Sequence, residues 1–203
     1  ISTGMKQAKF GINIAQALED YRRAAAMPNL DVIGVDCHIG SQLTKLSPFV
    51  DAIRKVRELV ETLQQEGFAI KYLDLGGGLG ITYEDEEPPT PADYAEAVIE
   101  ATRGLGVTLI FEPGRMMVGN AGILVSKVLY VKEGEAKNFV IVDAAMNDLA
   151  RPALYGSYQG IEAVDCSQAD TIVADVVGPI CESGDFLAQD REITAFKQGD
   201  LLA

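Results

Sequence analysis

An acid, a proline, a bare backbone and a guanidinium stand in succession at Glu112-Pro113-Gly114-Arg115, directly after the apolar run Val107 to Phe111. That run reads as a buried strand, so these groups gather at one strand end. Two further apolar runs finish in similar chemistry. Val32 to Cys37 leads into His38-Ile39-Gly40-Ser41, and Tyr72 to Leu75 leads into Gly76-Gly77-Gly78-Leu79-Gly80. In parallel α/β folds the loops at strand C-termini build active sites, and three such endings point to a site for a phosphorylated cofactor. Glycines let backbone N–H groups approach phosphate oxygens, and Ser41 offers a hydroxyl to the same anion. No Gly-Lys-Ser or Gly-Lys-Thr follows the glycines, which excludes a P-loop, and their spacing does not fit GxGxxG.

Each of these residues also has a plainer reading. The triple glycine suits a tight turn after a strand, and His38 suits a hydrogen-bonded structural histidine. Glu112 at a buried strand end requires a partner, because an unpaired buried carboxylate is costly. That partner is either Arg115 in a structural ion pair or a ring nitrogen of a ligand. Further along, Asp143 to Asp148 leads to Arg151-Pro152-Ala153-Leu154-Tyr155, where Arg151 and Tyr155 form either a surface pair or a ligand grip. Cys181-Glu182 follows Gly178-Pro179, and Cys181 is either an inert small residue or a reactive thiol.

The elements that must position these groups differ between the two halves of the chain. The first half alternates. Ile14 to Ala26 has helical spacing and is closed by Pro28. Leu30 to Cys37 is strand-like. Ser47 and Pro48 read as an N-cap and first-turn proline of an amphipathic helix through Val50, Ile53, Val56, Val60 and Leu63, which stops at Gly67. Ile70 to Leu75 is a strand, Tyr83 to Pro91 a polar loop, Ala92 to Arg103 a helix and Val107 to Phe111 a strand. This alternation indicates βα units and a parallel sheet, either a barrel or an open one. After about Asn120 the helical period disappears, leaving short β-branched runs at Gly122 to Val131, Asn138 to Val142, Thr171 to Val177 and Ile193 to Phe196. A domain boundary is expected between residues 115 and 121, with a mostly β second half.

The 203 residues carry a net charge of −13, which argues against nucleic acid or an anionic membrane as a partner. No apolar run approaches the roughly 20 residues that span a bilayer. Three cysteines without CxxC spacing suit reduced thiols in the cytoplasm, and a single histidine disfavours a structural metal site.

Taken in order, HIGSQ (His38 to Gln42), DLGGGLG (Asp74 to Gly80), FEPGR (Phe111 to Arg115), VDAAMNDLARPALYGSYQ (Val142 to Gln159) and GPICESGD (Gly178 to Asp185) resemble the fold-type III pyridoxal-phosphate decarboxylases. This group includes the ornithine, arginine and diaminopimelate decarboxylases. The resemblance runs essentially end to end from Lys9. It implies an α/β fold in which residues 1–118 form the second half of a (β/α)8 TIM-type barrel holding pyridoxal 5′-phosphate, and 119–203 form part of a β-rich domain. It further implies a cytoplasmic homodimer with shared active sites and an amino-acid substrate.

By the resemblance, Glu112 bonds the pyridine nitrogen and His38 stacks on the ring. Ser41, Gly76, Gly77, Gly78, Gly114 and Arg115 surround the phosphate, with Arg115 also touching a substrate carboxylate. Arg151 and Tyr155 hold a distal carboxylate, Glu182 receives a distal ammonium, and Cys181 reprotonates the substrate carbon. Arg151 with Glu182 suits a substrate with an amino-acid group at each end, so the expected reaction converts meso-2,6-diaminopimelate to L-lysine and CO2. A relative acting on ornithine has no distal carboxylate to hold, and it usually shows a CDGxD-like segment at the cysteine. Alanine racemase places an arginine against the ring nitrogen, where this chain has Glu112. Decarboxylation of a related amino acid (ornithine, arginine or a carboxylated polyamine precursor) and a non-catalytic binding homologue are the alternatives.

The family's anchoring lysine, in a YAVKAN-like segment, has no counterpart here, and Lys9 before Phe-Gly-Ile matches a later position. The family's tyrosine near the end of the β domain also has none. The expectation is the central part of a longer enzyme, inactive by itself.

Overall fold

Three short strands, β1 (Gly34–Asp36), β2 (Tyr72–Asp74) and β3 (Thr108–Ile110), pair in parallel in the order β1-β2-β3. Each return between parallel strands requires a crossover, supplied here by the helices α2 (Ser47–Gln65) and α3 (Pro91–Thr102). An earlier helix, α1 (Ile14–Ala25), is opened by Asn13, whose side chain accepts from the Ala15 amide. These elements belong to a first unit, Ile1–Thr82 with Glu86–Ala121; a second comprises Tyr83–Asp85 with Gly122–Ala203. The structure is a computed structural model describing residues 9–167 and 170–203.

The first core follows from helical spacing. Ile53, Val56, Val60 and Leu63 line one face of α2 and pack with Val35, Leu73, Leu75 and Val98. The helix stops where expected. Gly67 takes φ +91, and the Phe68 amide reaches back to the Leu63 carbonyl at 3.0 Å while that of Gly67 reaches Gln64 at 3.1 Å. These are the two bonds of a Schellman ending. At the start of α2 the expectation shifts by one residue: the N-cap is Leu46, and Ser47 is already helical without capping it. Thr90, whose capping role the sequence reading missed, caps α3 in a reciprocal box with Asp93.

The strand before Glu112 departs from expectation. Residues 108–110 are not buried: Ile110 is 40% and Phe111 41% exposed. The reason is that β3 is the edge of the described sheet, with β2 as its one partner there. Glu112 is itself exposed.

The second unit holds a five-stranded sheet ordered β7-β6-β5-β4-β8. Its strands are β4 (Ser126–Lys132), β5 (Asn138–Val142), β6 (Thr171–Val177), β7 (Phe186–Thr194) and β8 (Leu201–Leu202). All pairings are antiparallel except β5 with β6. Val128, Val140, Val142, Val176 and Leu187 fill its core. β5 and β6 coincide with the expected runs. β4 begins at Ser126 rather than Gly122, since Ile123 is 78% exposed. β7 is longer than Ile193 to Phe196 because polar Gln189 to Glu192 breaks the apolar pattern without ending the strand. There Asp190 takes φ +48 and Lys137 bonds both Asp175 (3.0 Å) and Asp190 (2.9 Å). Two short helices, α4 (Gly114–Val118) and α5 (Arg151–Tyr155), are too brief to show a period. The expectation of α/β elements followed by a β-rich part holds. Among the described residues no helix is long and apolar enough to cross a membrane.

Candidate functional site

The loops that follow β1, β2 and β3 are joined to one another through backbone groups. The Leu43 amide donates to the Gly78 carbonyl (2.8 Å), and the Gly80 amide returns a bond to the Leu43 carbonyl (3.0 Å). On the other side the Glu112 amide donates to the Gly76 carbonyl at 2.8 Å. The Gly77 amide donates to His38 Nδ1 at 3.2 Å. With Nδ1 accepting, neutral His38 carries its proton on Nε2. The Asp74 carboxylate accepts from the Gly76 amide at 2.8 Å, an Asx turn that the sequence reading passed over although Asp two residues before Gly is its signature.

Close approach explains two of the glycines. A Cβ on Gly77 would run into the Glu112 carbonyl, and one on Gly78 would meet the Gly40 carbonyl. The turn reading and the functional reading of the glycines are therefore compatible, because tight packing is what brings His38 and the Glu112 backbone to the same turn. Arg115 Nη2 donates to Ser41 Oγ at 3.0 Å. Gly114 opens α4 with nothing within 4 Å of where a Cβ would stand.

This donor set suits a phosphorylated pyridine. The Gly76, Gly77 and Gly114 amides already donate to Asp74, His38 and the Glu112 carbonyl, so the Ser41 hydroxyl and the Arg115 guanidinium are the anion donors, and the open side of Gly114 leaves room beside them. Glu112, one strand end away, carries a carboxylate, an acceptor that suits a protonated ring nitrogen.

Arg151, Tyr155, Cys181 and Glu182 belong to the second unit. Arg151 is the first residue of α5, and its guanidinium lies 5.1 Å from the centroid of the Tyr155 ring. Its Nε is buried without a hydrogen-bond partner among the described residues. Cys181 and Glu182 are both exposed, and the Glu182 carboxylate accepts from Ser183 Oγ (3.2 Å) and the Gly184 amide (3.1 Å).

Their loop is fastened by Asp185, to which the sequence reading gave no role. This carboxylate is 4% exposed and accepts from the Met146 and Ile180 amides, each at 2.7 Å. It ties the cysteine loop to the segment that precedes α5. Asp143 fastens that segment in turn, accepting from Ser126 Oγ and the Lys127 amide, each at 2.7 Å. The Lys127 N–H first, then the Ser126 hydroxyl, hold its carboxyl below the usual carboxylate range. Cysteines 37, 166 and 181 are all free thiols. Burial, with Asp36 adding, pushes the Cys37 thiol up.

A parallel α/β unit with a cluster of polar and glycine residues at its strand ends, joined in sequence to a β-rich unit, defines a class, and comparison with known proteins gives it a family. A family model described as pyridoxal-dependent decarboxylase, pyridoxal binding domain, matches residues 1–119. The chain belongs to that family, and the expected cofactor, pyridoxal 5′-phosphate, agrees with it. Diaminopimelate decarboxylase of Neisseria meningitidis serogroup A is 57% identical over 100% of this chain and 50% of its own length. That of Pseudomonas aeruginosa is 55% identical, over 100% of this chain and 49% of its own. Among solved structures, diaminopimelate decarboxylase from Helicobacter pylori complexed with L-lysine superposes with a TM-score of 0.93 at 40% identity, covering 100% of this chain and 50% of that one. The chain thus spans about half the length of the relatives it matches.

Proposed function

We propose that the polypeptide carrying this chain decarboxylates meso-2,6-diaminopimelate to L-lysine and CO2. The observation that carries this reading is the convergence of His38, the Gly76–Gly78 turn and the Glu112 backbone, through the 3.2 Å Gly77–His38 and 2.8 Å Glu112–Gly76 hydrogen bonds. The likeness to diaminopimelate decarboxylases along the whole chain supports the substrate.

When bound, pyridoxal phosphate supplies an electron sink for the electron pair left behind as CO2 departs. Glu112 would accept a hydrogen bond from the pyridine nitrogen and keep the proton there, which would deepen that sink. His38, oriented by the Gly77 amide, would stack on the ring. Ser41 and Arg115 would donate to the phosphate, Gly76, Gly77, Gly78 and Gly114 would surround it, and Arg115 would also meet a substrate carboxylate. Arg151 presents a planar fork to the distal carboxylate. Its buried, unpartnered Nε supports that role, because an unmet buried donor favours an incoming acceptor. Tyr155 lies beside it, Glu182 takes the distal ammonium, and Cys181 returns a proton to the substrate carbon. The domain division at 118/119, a homodimer with shared active sites and a cytoplasmic location complete this reading.

The test is Glu112→Gln in the polypeptide that carries this chain. It is expected to lower kcat about 100-fold while weakening cofactor affinity far less. Equal losses in both would remove Glu112 from the ring nitrogen. The same assay checks that CO2 is released from diaminopimelate and not from ornithine or arginine.

A further inference from the structure

We propose that Gln42 is a positioning residue for the anion cradle. Its side-chain amide locks the loop carrying Ser41 to the loop carrying Gly78, and phosphate recognition depends on that lock. The inference rests on the cofactor reading above and adds a residue that touches no ligand.

Gln42 takes φ +59, one of two non-glycine residues with positive φ among the described residues. A side chain with a Cβ disfavours that region, so something must hold it there. The holding contacts are both made by its own amide. Nε2 donates to the Ile81 carbonyl, and Oε1 accepts from the Ile81 amide at 3.1 Å. One side chain thus satisfies both backbone groups of a single residue, as the peptide of a neighbouring strand would.

The adjacent rung is made by backbone. Leu43 and Leu79 form a parallel bridge through the Leu43–Gly78 and Gly80–Leu43 bonds. The Gln42 amide extends this ladder to Ile81, which frees its own backbone to turn. Room for the lock comes from Gly80, where a Cβ would lie 2.9 Å from the Leu43 carbonyl oxygen and 3.4 Å from Gln42 Cδ. Ser41 immediately precedes the turn, with its hydroxyl 3.0 Å from Arg115 Nη2. Opening the lock leaves the Leu43 rung but frees the backbone turn at Gln42, and with it the placement of Ser41 against the glycine turn. The groups held by the separate Glu112–Gly76 and Gly77–His38 bonds stay in place.

This predicts a loss specific to the phosphate. Pyridoxamine 5′-phosphate and pyridoxamine differ only in that group, and neither can bond covalently to a lysine. Their affinities for the polypeptide carrying this chain are measured by fluorescence quenching, in the native protein and two variants. Gln42→Gly relieves the backbone conformation and deletes the amide. Gln42→Asn keeps an amide tolerant of positive φ but one methylene short of Ile81. Each is expected to weaken pyridoxamine 5′-phosphate about tenfold and pyridoxamine less than about twofold. Equal weakening of both ligands, or of neither, overturns the proposal. If Gln42→Gly does not fold, Gln42→Asn decides. A native protein that binds both ligands alike would instead refute the phosphate cradle itself, and the role of Gln42 with it.

Discussion

The two clusters of candidate residues are built with a different balance of contacts. In the first unit, glycines packed against carbonyls and amide-to-carbonyl bonds between successive loops form the frame, and the side chains of Asp74, Gln42 and Arg115 add ties to it. In the second unit, Asp143 and Asp185 fasten the loops through charged side chains, and Arg151 Nε is buried without a protein partner. A main-chain cradle suits a cofactor that stays through many turnovers. A side-chain grip with an unmet donor suits a substrate that must come and go. Preorganisation lowers the ordering cost of binding, and here it is concentrated in the first cluster.

The comparison is broken most severely by adding one carbon. Gly77→Ala places a methyl group against the Glu112 carbonyl. Neither is the end of a flexible side chain, so the loops must part. A stability loss of about 3 kcal/mol or more is expected, together with loss of cofactor binding, measured by thermal melting and cofactor titration. An unchanged melt would show that the first cluster is not built by close approach.

A smaller effect is expected in the second unit. Asp185→Ala removes the acceptor of two backbone amides, at Met146 and Ile180. Leaving buried donors unmet costs about 1–3 kcal/mol each at most. Hydrogen exchange should accelerate at those two amides while the Gly76–Gly78 turn keeps its protection. Uniform acceleration across both units would mean the clusters are not held independently.

The smallest effect concerns pH. The folded-state pKa of Asp143 is depressed, so its contribution is fully present above the unfolded carboxylate value and is lost as pH falls through the folded one. Only acid below the ordinary carboxylate range should therefore loosen the Ser126–Asp143 latch. The amide-to-carbonyl bonds between Gly76 and Glu112 and between Leu43 and Gly78 carry no titratable group. Amide chemical shifts of Lys127 followed against pH, beside those of Glu112 and Leu43, test this. Titration of all three together would erase the distinction.

Much of the frame was legible in the residues. Ile53, Val56, Val60 and Leu63 announce α2 by spacing, Gly67 announces its end, and β5 and β6 match their apolar runs residue for residue. Legibility fails where a local pattern is overridden. β7 continues through Gln189 to Glu192 because pairing with β6 and the Lys137–Asp175–Asp190 contacts supply what its polar sequence lacks. Ser47 looks like a cap yet is helical, because cap position depends on where the chain enters and not on residue type alone. Glu112 was expected at a buried strand end, but the described sheet has β3 at its edge.

By itself, the order of residue types determined which groups are available: an acid after one strand, an imidazole and a hydroxyl after another, three glycines after a third. It also determined the periodicities that make helices and strands. Only the tertiary structure decided that Gly77 meets His38 and Glu112, that Gln42 reaches Ile81, and that Asp185 fastens the loop of Cys181. Periodicity acts over a few residues and is written in the chain. Contacts between residues some 40 positions apart depend on how parallel strands stack.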